Sequence, residues 1–209
     1  MSYWHFVSHE THKKRVFTRE GARPGDQIFV TGTLGGSAMG LQLLTSKKSN
    51  CTPTKHRRSL IQKHLEPIPR IKESRLLARS KLQVTSMIDL SDGLVQDLTH
   101  LCAADKLGAD IYEANLPFSG ALSNICQQKS SVLTNLALQG GEDYELLFTI
   151  RREDVKKLNK LFLKADATVS HIGEITKSPG KIFLRQKNGR KKSLKSSIGF
   201  NHFKRDKWS

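Results

Sequence analysis

The chain has 209 residues, with 35 Lys and Arg, 19 Asp and Glu and 8 His, and its formal net charge is +16. This length fits one domain, with or without an extension, whose core folds without cross-links. Three cysteines without paired spacing exclude a disulfide framework and a zinc ribbon, and they predict a reducing, cytoplasmic compartment. No apolar run approaches the ~18 residues of a membrane span, and the start lacks a signal peptide's apolar core, so we expect no membrane association.

The excess of basic residues raises the question of nucleic-acid binding. Its clusters lie outside the middle of the chain, at Lys13–Arg15, Lys47–Lys48, Lys55–Arg58, Arg151–Arg152, Lys156–Lys157 and Arg185–Lys195. Residues 82–150 are much less basic and hold most of the motif-like residues. Neither zinc-finger spacing nor an RNA-binding aromatic string occurs. We therefore predict a solvated basic surface that associates weakly with polyanions, and not a dedicated nucleic-acid-binding face.

Predicted strands and helices alternate along the first half of the chain. A Pro-Gly turn at 24–25 precedes a β-rich run, and the next segments have helical spacing of apolar residues until a second apolar stretch. The predicted elements are a strand over Gln27–Thr31, helices over Ser37–Leu44, Lys55–Leu65 and Ile71–Ser80, and the apolar stretch Val84–Leu90.

The alternation continues in the second half. The predicted elements are a helix over Asp92–Lys106, a strand over Ala109–Ala114, a helix after Pro117, a helix over Ser130–Leu138, a strong strand ending at Ile150, a helix over Arg152–Lys164, and strands over Thr168–Ile175 and Lys181–Gln186. We expect the basic tail after Ser193 to be irregular. This pattern predicts a layered α/β or α+β domain.

The DLSDG segment at 89–93 places two carboxylates three residues apart, where a strand is predicted to end and a helix to begin. Carboxylates there suit Mg²⁺, which binds one or two of them together with substrate phosphates, and the helix N-terminus favours anions. The alternative is structural, because Asp and Ser are common N-caps and Gly is a common turn residue. The spacing alone leaves both interpretations open.

The GGEDYE segment at 140–145 places three acids beside a glycine pair, directly before the most hydrophobic predicted strand. Glu142 and Asp143 are candidates to bind a metal or to accept hydrogen bonds from a polar substrate. The alternative is an acidic turn that shields the end of a sheet. Both interpretations carry equal weight, because burying carboxylates is costly unless solvent or a cation meets them.

The TGTLGG segment at 31–36 is a glycine-rich turn after a predicted strand. Such turns cradle phosphates in several nucleotide-binding families. This one lacks both the lysine of a Walker loop and the dinucleotide-binding pattern of glycines. A tight strand-to-helix turn is therefore the favoured interpretation.

Six stretches of the sequence occur in the order found in the thiamine-monophosphate kinase family, over about residues 16–203. They are REGARPGDQIFVTGTLGGSAMGL, HLEPIPRIKESRLL, IDLSDGLVQDLTHL, LPFSGAL, LALQGGEDYELLFTI and GFNHF. IDLSDGL alone is similar to a motif of the wider AIR-synthase-related superfamily. GGEDYEL, together with the HLEPIPR and PGDQIFVTGTLG stretches, resembles the thiamine kinase branch specifically.

The resemblance implies a PurM-like C-terminal domain, an α/β (α+β) fold in which a mixed β-sheet packs with helices in two layers. It implies that residues 21–203 are this domain, that residues 1–20 are a remnant of the family's N-terminal domain, and that residues 204–209 are a basic tail. In the family, the N-terminal domain supplies most of the Mg²⁺-binding acids, touches the nucleotide and builds the dimer.

The implied activity is Mg²⁺-dependent transfer of the ATP γ-phosphate to thiamine monophosphate, giving thiamine diphosphate. The acceptor is already an anion, so the reaction needs charge neutralisation and in-line positioning more than a strong base. The implied partners are ATP, thiamine monophosphate and a separately encoded N-terminal half or a homodimer. The alternatives are a truncated, inactive remnant and a non-catalytic domain that binds nucleotide or polyanion.

The family's motifs carry six functional positions onto this chain. These are Mg²⁺ ligands at Asp89 and Asp92, ATP contacts at Arg19 and Ser91, and substrate contacts at Glu142 and Phe200. The resemblance implies that the Glu142 carboxylate pairs with the cationic thiamine. It also implies that the Phe200 ring stacks on the rings of the substrate, an arrangement that favours cations.

Overall fold

A computed structural model describes residues 16–46 and 54–194 of the chain. The strands of this part form one sheet, and they are β1 Gln27–Thr31, β2 Val84–Asp89, β3 Gly108–Tyr112, β4 Leu146–Ile150, β5 Val169–Thr176, β6 Ile182–Arg185 and β7 Lys191–Leu194. The helices are α1 Gly36–Thr45, α2 Thr54–Leu65, α3 Ile71–Arg79, α4 Leu94–Ala104, α5 Gly120–Ile125, α6 Ser130–Gln139 and α7 Val155–Lys164. The predicted α/β fold with a mixed sheet is confirmed.

The strands lie in the order β2-β4-β1-β5-β3-β6-β7. Among the described strands, β3 and β6 are the one parallel pair of neighbours, and the other neighbouring pairs are antiparallel. In the β2–β4 pair, Asp89 lies opposite Leu146, and in the β1–β4 pair, Val30 lies opposite Leu147. The C-terminal ends of β1 and β2 therefore meet the N-terminal end of β4 at one end of the sheet.

Apolar side chains cover both faces of the central strands. In β1, Ile28 and Val30 belong to the core that includes Leu98 of α4, whereas Phe29 belongs to a second core that includes Phe162 of α7. These residues are buried, and they alternate because successive strand residues point to opposite faces. Helices thus pack on both faces of the central strands.

Some details of the predicted elements are wrong. The strand predicted over Ala109–Ala114 ends at Tyr112, and a 3₁₀ turn over Glu113–Asn115 follows it. The predicted helix from Arg152 begins with a 3₁₀ turn over Arg152–Asp154, and α7 follows it. Leu194, which we placed in an irregular tail, ends β7. That strand shows no apolar alternation because its first three residues are exposed at the sheet edge. Residues 195–209 lie outside the described part. Within that part, no helix is long and apolar enough to cross a bilayer.

Candidate functional site

Three loops meet at the end of the sheet where β1 and β2 stop and β4 starts. They are residues 32–35, residues 90–93 and residues 140–145. The antiparallel order of β2, β4 and β1 puts them side by side, although they are far apart in sequence. The structure therefore brings together the three segments whose residues are candidates for chemistry: 31–36, 89–93 and 140–145.

Backbone hydrogen bonds join the loop after β2 to the loop before β4. The N–H of Leu90 donates to the carbonyl of Glu145 at 2.8 Å, and the N–H of Tyr144 donates to the carbonyl of Leu90 at 2.9 Å. The N–H of Glu142 donates to the carbonyl of Ser91 at 2.8 Å. The two predicted sites are therefore one hydrogen-bonded unit.

Asp143 points inward and caps helix α1. Its Oδ2 accepts from the N–H of Gly35 at 2.6 Å, and its Oδ1 accepts from the N–H of Ser37 at 3.1 Å. Burial raises the pKa of this carboxyl, while nearby Lys63 and the two N–H groups act in the opposite direction. Because a carboxylate of the protein already accepts two N–H groups at this helix N-terminus, the geometry supports a tight turn at 31–36 over a phosphate-binding loop.

Glu145 points inward as well and is fully buried. Arg70 donates two hydrogen bonds to its carboxylate, from Nε at 2.6 Å and from Nη2 at 2.7 Å. Thr31 Oγ1 donates to it at 2.8 Å and Lys63 Nζ at 3.1 Å. The hydrogen bond to Glu145 raises the pKa of Arg70. This buried charge is thus paired and hydrogen-bonded on all sides, as a carboxylate in a dry position requires.

Glu142 differs from its two acidic neighbours because its side chain is 38% exposed. It contacts His64, whose Nδ1 lies 3.4 Å from Glu142 Oε2. Its backbone has a φ of 62°, and exposed Tyr144 has a φ of 49°. Left-handed backbone is costly for residues other than Gly, and it persists where the surroundings enforce it, often at functional sites.

The loop after β2 presents Asp89 and Asp92 on either side of Ser91. Asp89 is exposed, and Asp92 is half-buried. Behind them, buried Asp97 of α4 accepts the N–H groups of Asp92 at 3.0 Å and of Gly93 at 3.1 Å. Burial, together with the negative charges of Asp92 and Asp89, raises the pKa of Asp97 to about 6.

The donor set of this loop fits a hard divalent cation. Two carboxylates, of Asp89 and Asp92, project from a backbone that Asp97 holds in place. Mg²⁺ takes one or two protein carboxylates and completes its shell with water and phosphate oxygens. Across residues 16–46 and 54–194, no group of three or more His, Cys, Asp or Glu side chains is arranged to hold a metal by itself.

The remaining predicted residues lie elsewhere. Arg19 is exposed, and its segment runs beside β2, where the carbonyl of Thr18 accepts the N–H of Met87 at 2.8 Å. Within the described residues, Arg19 makes no ion pair with the three loops. Phe200 lies outside the described part of the chain. The structure thus brings together four of the six predicted positions.

The cations that hold the acidic loop, and the acid behind the Asp89 loop, are not predicted from the sequence. Lys63 and Arg70 lie in or beside the HLEPIPR stretch, which carries the family resemblance but no charge pattern that identifies them. A signal existed in the acidic loop, because carboxylates ahead of a buried strand need cationic partners. Asp97 gave no signal of its own, since an acid in the first turn of a helix is common.

Comparison with known proteins identifies a family and several relatives of this chain. A family model described as AIR synthase related protein, C-terminal domain, matches residues 23–185. The thiamine-monophosphate kinase of Buchnera aphidicola subsp. Schizaphis graminum is 42% identical over 190 residues, which are 91% of this chain and 56% of that protein. The Escherichia coli K12 enzyme is 44% identical over 159 residues, or 76% of this chain and 45% of that protein. The chain spans about half the length of these curated relatives.

Solved structures give the same result. A ThiL protein in complex with AMPPCP and TMP is 35% identical with a TM-score of 0.71, covering 90% of this chain and 54% of that one. Thiamine-monophosphate kinase from Stenotrophomonas maltophilia K279a is 30% identical with a TM-score of 0.70, covering 83% and 53%. The hydrogenase maturation protein HypE of E. coli, at 18% identity and a TM-score of 0.60, shares the fold alone.

Proposed function

The chain belongs to the family of AIR-synthase-related C-terminal domains, and on this premise we propose that it is the C-terminal part of a thiamine-monophosphate kinase. The reaction would transfer the γ-phosphate of ATP to thiamine monophosphate. One observation carries this proposal: the loop that presents Asp89 and Asp92 is hydrogen-bonded directly to the loop that presents Glu142. A metal–phosphate site and a site for a cationic substrate would then lie side by side.

The nucleotide side of the site would consist of Asp89 and Asp92 as Mg²⁺ ligands and of Ser91 as an ATP contact. When bound, Mg²⁺ supplies positive charge that neutralises phosphate oxygens during transfer. Asp97 fixes the backbone of this loop. The N-terminus of α4, which begins at Leu94, adds partial positive charge beside it. Arg19 is proposed as a further ATP contact.

The substrate side would rest on Glu142. Asp143 and Glu145 are buried and paired inside the protein. Glu142 is therefore the acid of residues 142–145 that a cationic ring can reach. A carboxylate attracts such a ring, and in line with this role its side chain is partly exposed. Phe200 is proposed to stack on the rings of the substrate.

Transfer between two anionic phosphates requires more positive charge than the Mg²⁺ that two carboxylates can bind would supply. We therefore propose that carboxylates from outside the described residues, on an N-terminal half or on a second copy of this chain, complete the site. Exposed apolar side chains beside the site support this, because such patches mark interaction surfaces. They are Leu65, Ile68 and Ile71, at the junction of α2 and α3, and Tyr144. Cys102 and Cys126, which are free and buried, fit the proposed cytoplasmic location.

Binding measurements on the purified chain test the proposal. We expect AMPPCP to bind only with Mg²⁺, and we expect Asp89→Asn and Asp92→Asn to weaken this binding at least tenfold. Glu153→Gln, an exposed acid beyond the opposite end of β4, is the matched control and should leave binding unchanged. Glu142→Gln should weaken thiamine monophosphate binding only. A folded chain that binds AMPPCP equally well with and without Asp89 contradicts the proposal.

The activity itself is measured as ADP formation from Mg²⁺-ATP, with and without thiamine monophosphate. We expect turnover to need an added N-terminal half and to be lost in Asp89→Asn. Turnover by the chain alone would show that its own residues suffice. No turnover after the second half has been added would favour the alternative of an inactive remnant.

A further inference from the structure

The last turn of α2 faces the acidic loop with two consecutive side chains. Lys63 Nζ lies 3.1 Å from Glu145 Oε1 and 3.7 Å from Asp143 Oδ1. His64 Nδ1 lies 3.4 Å from Glu142 Oε2. These two neighbours thereby reach all three acids of residues 142–145, and His64 takes the one that is not buried.

The contact between His64 and Glu142 differs in kind from the other two. Lys63 and Arg70 carry fixed charges that neutralise buried carboxylates. Glu142, in contrast, has no Lys or Arg partner in the described part of the chain. His64, with 15% of its side chain exposed, is its ion-pair neighbour there. The charge of Glu142 is thus not neutralised by a Lys or Arg and stays available to a cationic ligand. His64 contacts one of its two carboxylate oxygens, Oε2.

Ser37 anchors the His64 ring from behind. Its Oγ lies 2.9 Å from His64 Nδ1, and its own N–H donates to Asp143 Oδ1 at 3.1 Å. Ser37 is fully buried at the start of α1. An ionised carboxylate only accepts hydrogen bonds, so the approach of Nδ1 to Glu142 Oε2 at 3.4 Å is attractive when Nδ1 carries a proton. In that tautomer the hydrogen bond from Nδ1 to Ser37 Oγ at 2.9 Å fixes the plane of the ring, and Glu142 Oε2 lies beside the donor.

The backbone of Glu142 is held independently of its side chain. Its N–H donates to the carbonyl of Ser91 at 2.8 Å, and its φ is 62°. A Glu side chain loses rotamer freedom when it is ordered. A contact that orders it before the ligand arrives therefore raises affinity. His64 is placed to order the carboxylate end, while the other oxygen, Oε1, is left for a ligand.

We propose that His64 is a positioning residue that orients the Glu142 carboxylate for a cationic heteroaromatic ring and so sets the affinity of the site for it. This inference rests on the proposed function, because it takes Glu142 as the contact of the cationic substrate. It assigns His64 a role through Glu142 and not a contact with the reacting phosphates.

Two substitutions at His64 separate the donor from the ring. His64→Phe keeps the ring and removes the Nδ1 donor, whereas His64→Asn places an amide N–H near the position of Nδ1. His56→Phe is the matched control, because His56 lies two turns earlier on α2 and contacts Asn124 at 3.3 Å. Affinity of the full chain for thiamine monophosphate is measured by calorimetry with Mg²⁺ and AMPPCP present. Urea unfolding of each variant checks the fold.

We expect His64→Phe to weaken thiamine monophosphate binding about tenfold, His64→Asn to stay within about threefold of the wild type, and His56→Phe to change nothing. In a Glu142→Gln background, His64→Phe should have no further effect, since the positioned carboxylate is gone. If Glu142→Gln weakens binding and His64→Phe does not, the inference fails and the proposed function survives. If Glu142→Gln binds like the wild type, the assignment of Glu142 in the proposed function fails.

An NMR spectrum of the ¹⁵N-labelled imidazole tests the contact without any substrate. We expect the His64 ring to carry its proton on Nδ1 in the wild type and to lose this preference in Glu142→Gln. The control His100, which is exposed, should be unaffected. A wild-type ring protonated on Nε2 alone overturns the inference, even if the chain binds the substrate.

Discussion

Removing the guanidinium of Arg70 would leave a fully buried carboxylate with two of its partners. Arg70 donates twice to Glu145, at 2.6 and 2.7 Å, and Lys63 Nζ and Thr31 Oγ1 remain at 3.1 and 2.8 Å. Losing one member of a buried ion pair typically costs about 3–5 kcal/mol. The two remaining partners offset part of this. We expect Arg70→Met, which retains most of the apolar stem, to lower the free energy of unfolding by about 3 kcal/mol.

Urea unfolding of the chain measures this effect. With a slope of about 2 kcal/mol per M for a domain of this size, the midpoint should fall by about 1.5 M. Lys63→Met should also destabilise the chain, by at least about 1–2 kcal/mol, because Lys63 donates to Glu145 at 3.1 Å and to the carbonyl of Thr33 at 2.6 Å. Arg79→Met is the matched control on α3, because Arg79 is exposed and makes no ion pair within the described residues. It should stay within about 0.5 kcal/mol of the wild type.

A double-mutant cycle separates the pair from the rest of the loop. Glu145→Gln removes the charge and keeps the shape, so Arg70→Met should cost at least about 1.5 kcal/mol less in that background. If Arg70→Met costs under about 1 kcal/mol, or if the two effects simply add, Glu145 does not depend on Arg70 and the reasoning is refuted.

Two further changes test the packing behind the site. Burial raises the pKa of Asp97 to about 6, whereas an Asp in an unfolded chain has a pKa of about 4. Between these values the folded state binds more protons than the unfolded state. The stabilisation from protonated Asp97 is therefore complete below about pH 4, is partly kept near pH 5 and is lost as the pH rises through 6. With a chelator present, the wild type should be more stable at pH 5 than at pH 7.5 by roughly 1–2 kcal/mol relative to Asp97→Asn, after allowance for partial solvent screening; equal urea midpoints of the two proteins across this range contradict it. Gly32→Ala would bring a Cβ within 2.2 Å of Glu145 Oε1 at a φ of 53°, so we expect a loss of about 2–4 kcal/mol in thermal or urea unfolding. Gly25→Ala, whose φ is 89° but whose Cβ meets open space, should lose only about 1 kcal/mol, and equal losses would exclude the clash as the cause.

Local signals located the secondary structure well. The strand Gln27–Thr31 was predicted to the residue, because a Pro-Gly turn precedes it and Gly32 follows it. The last strand, β7, was not predicted, because Lys191 and Lys192 lie at the exposed sheet edge and show no apolar pattern. Alternation of apolar and polar residues reflects burial of one face of a strand. An edge strand with little burial therefore shows no such alternation in the sequence.

The arrangement of the site needed more than local signals. The separate motifs were visible in the sequence, but their meeting depends on the sheet order, which places β4 between β2 and β1. The partners of Glu145 show the same limit, because Arg70 and Thr31 are 75 and 114 residues away from it. No spacing rule links positions so far apart. The resemblance supplied the roles proposed for Asp89 and Glu142, and the structure supplied the hydrogen bonds that connect them.

The acidic loop separates stability from binding. Asp143 caps α1 and lies beside Lys63, and Glu145 pairs with Lys63 and Arg70. Changes to these two inward-facing acids should therefore act first on the free energy of unfolding. Glu142 lies between Gly141 and Asp143 with left-handed backbone and a partly exposed carboxylate. Such a conformation persists only when neighbouring contacts enforce it, and the two inward acids are placed to supply that constraint. The buried pairs therefore hold in place the one acid that is proposed to meet the ligand.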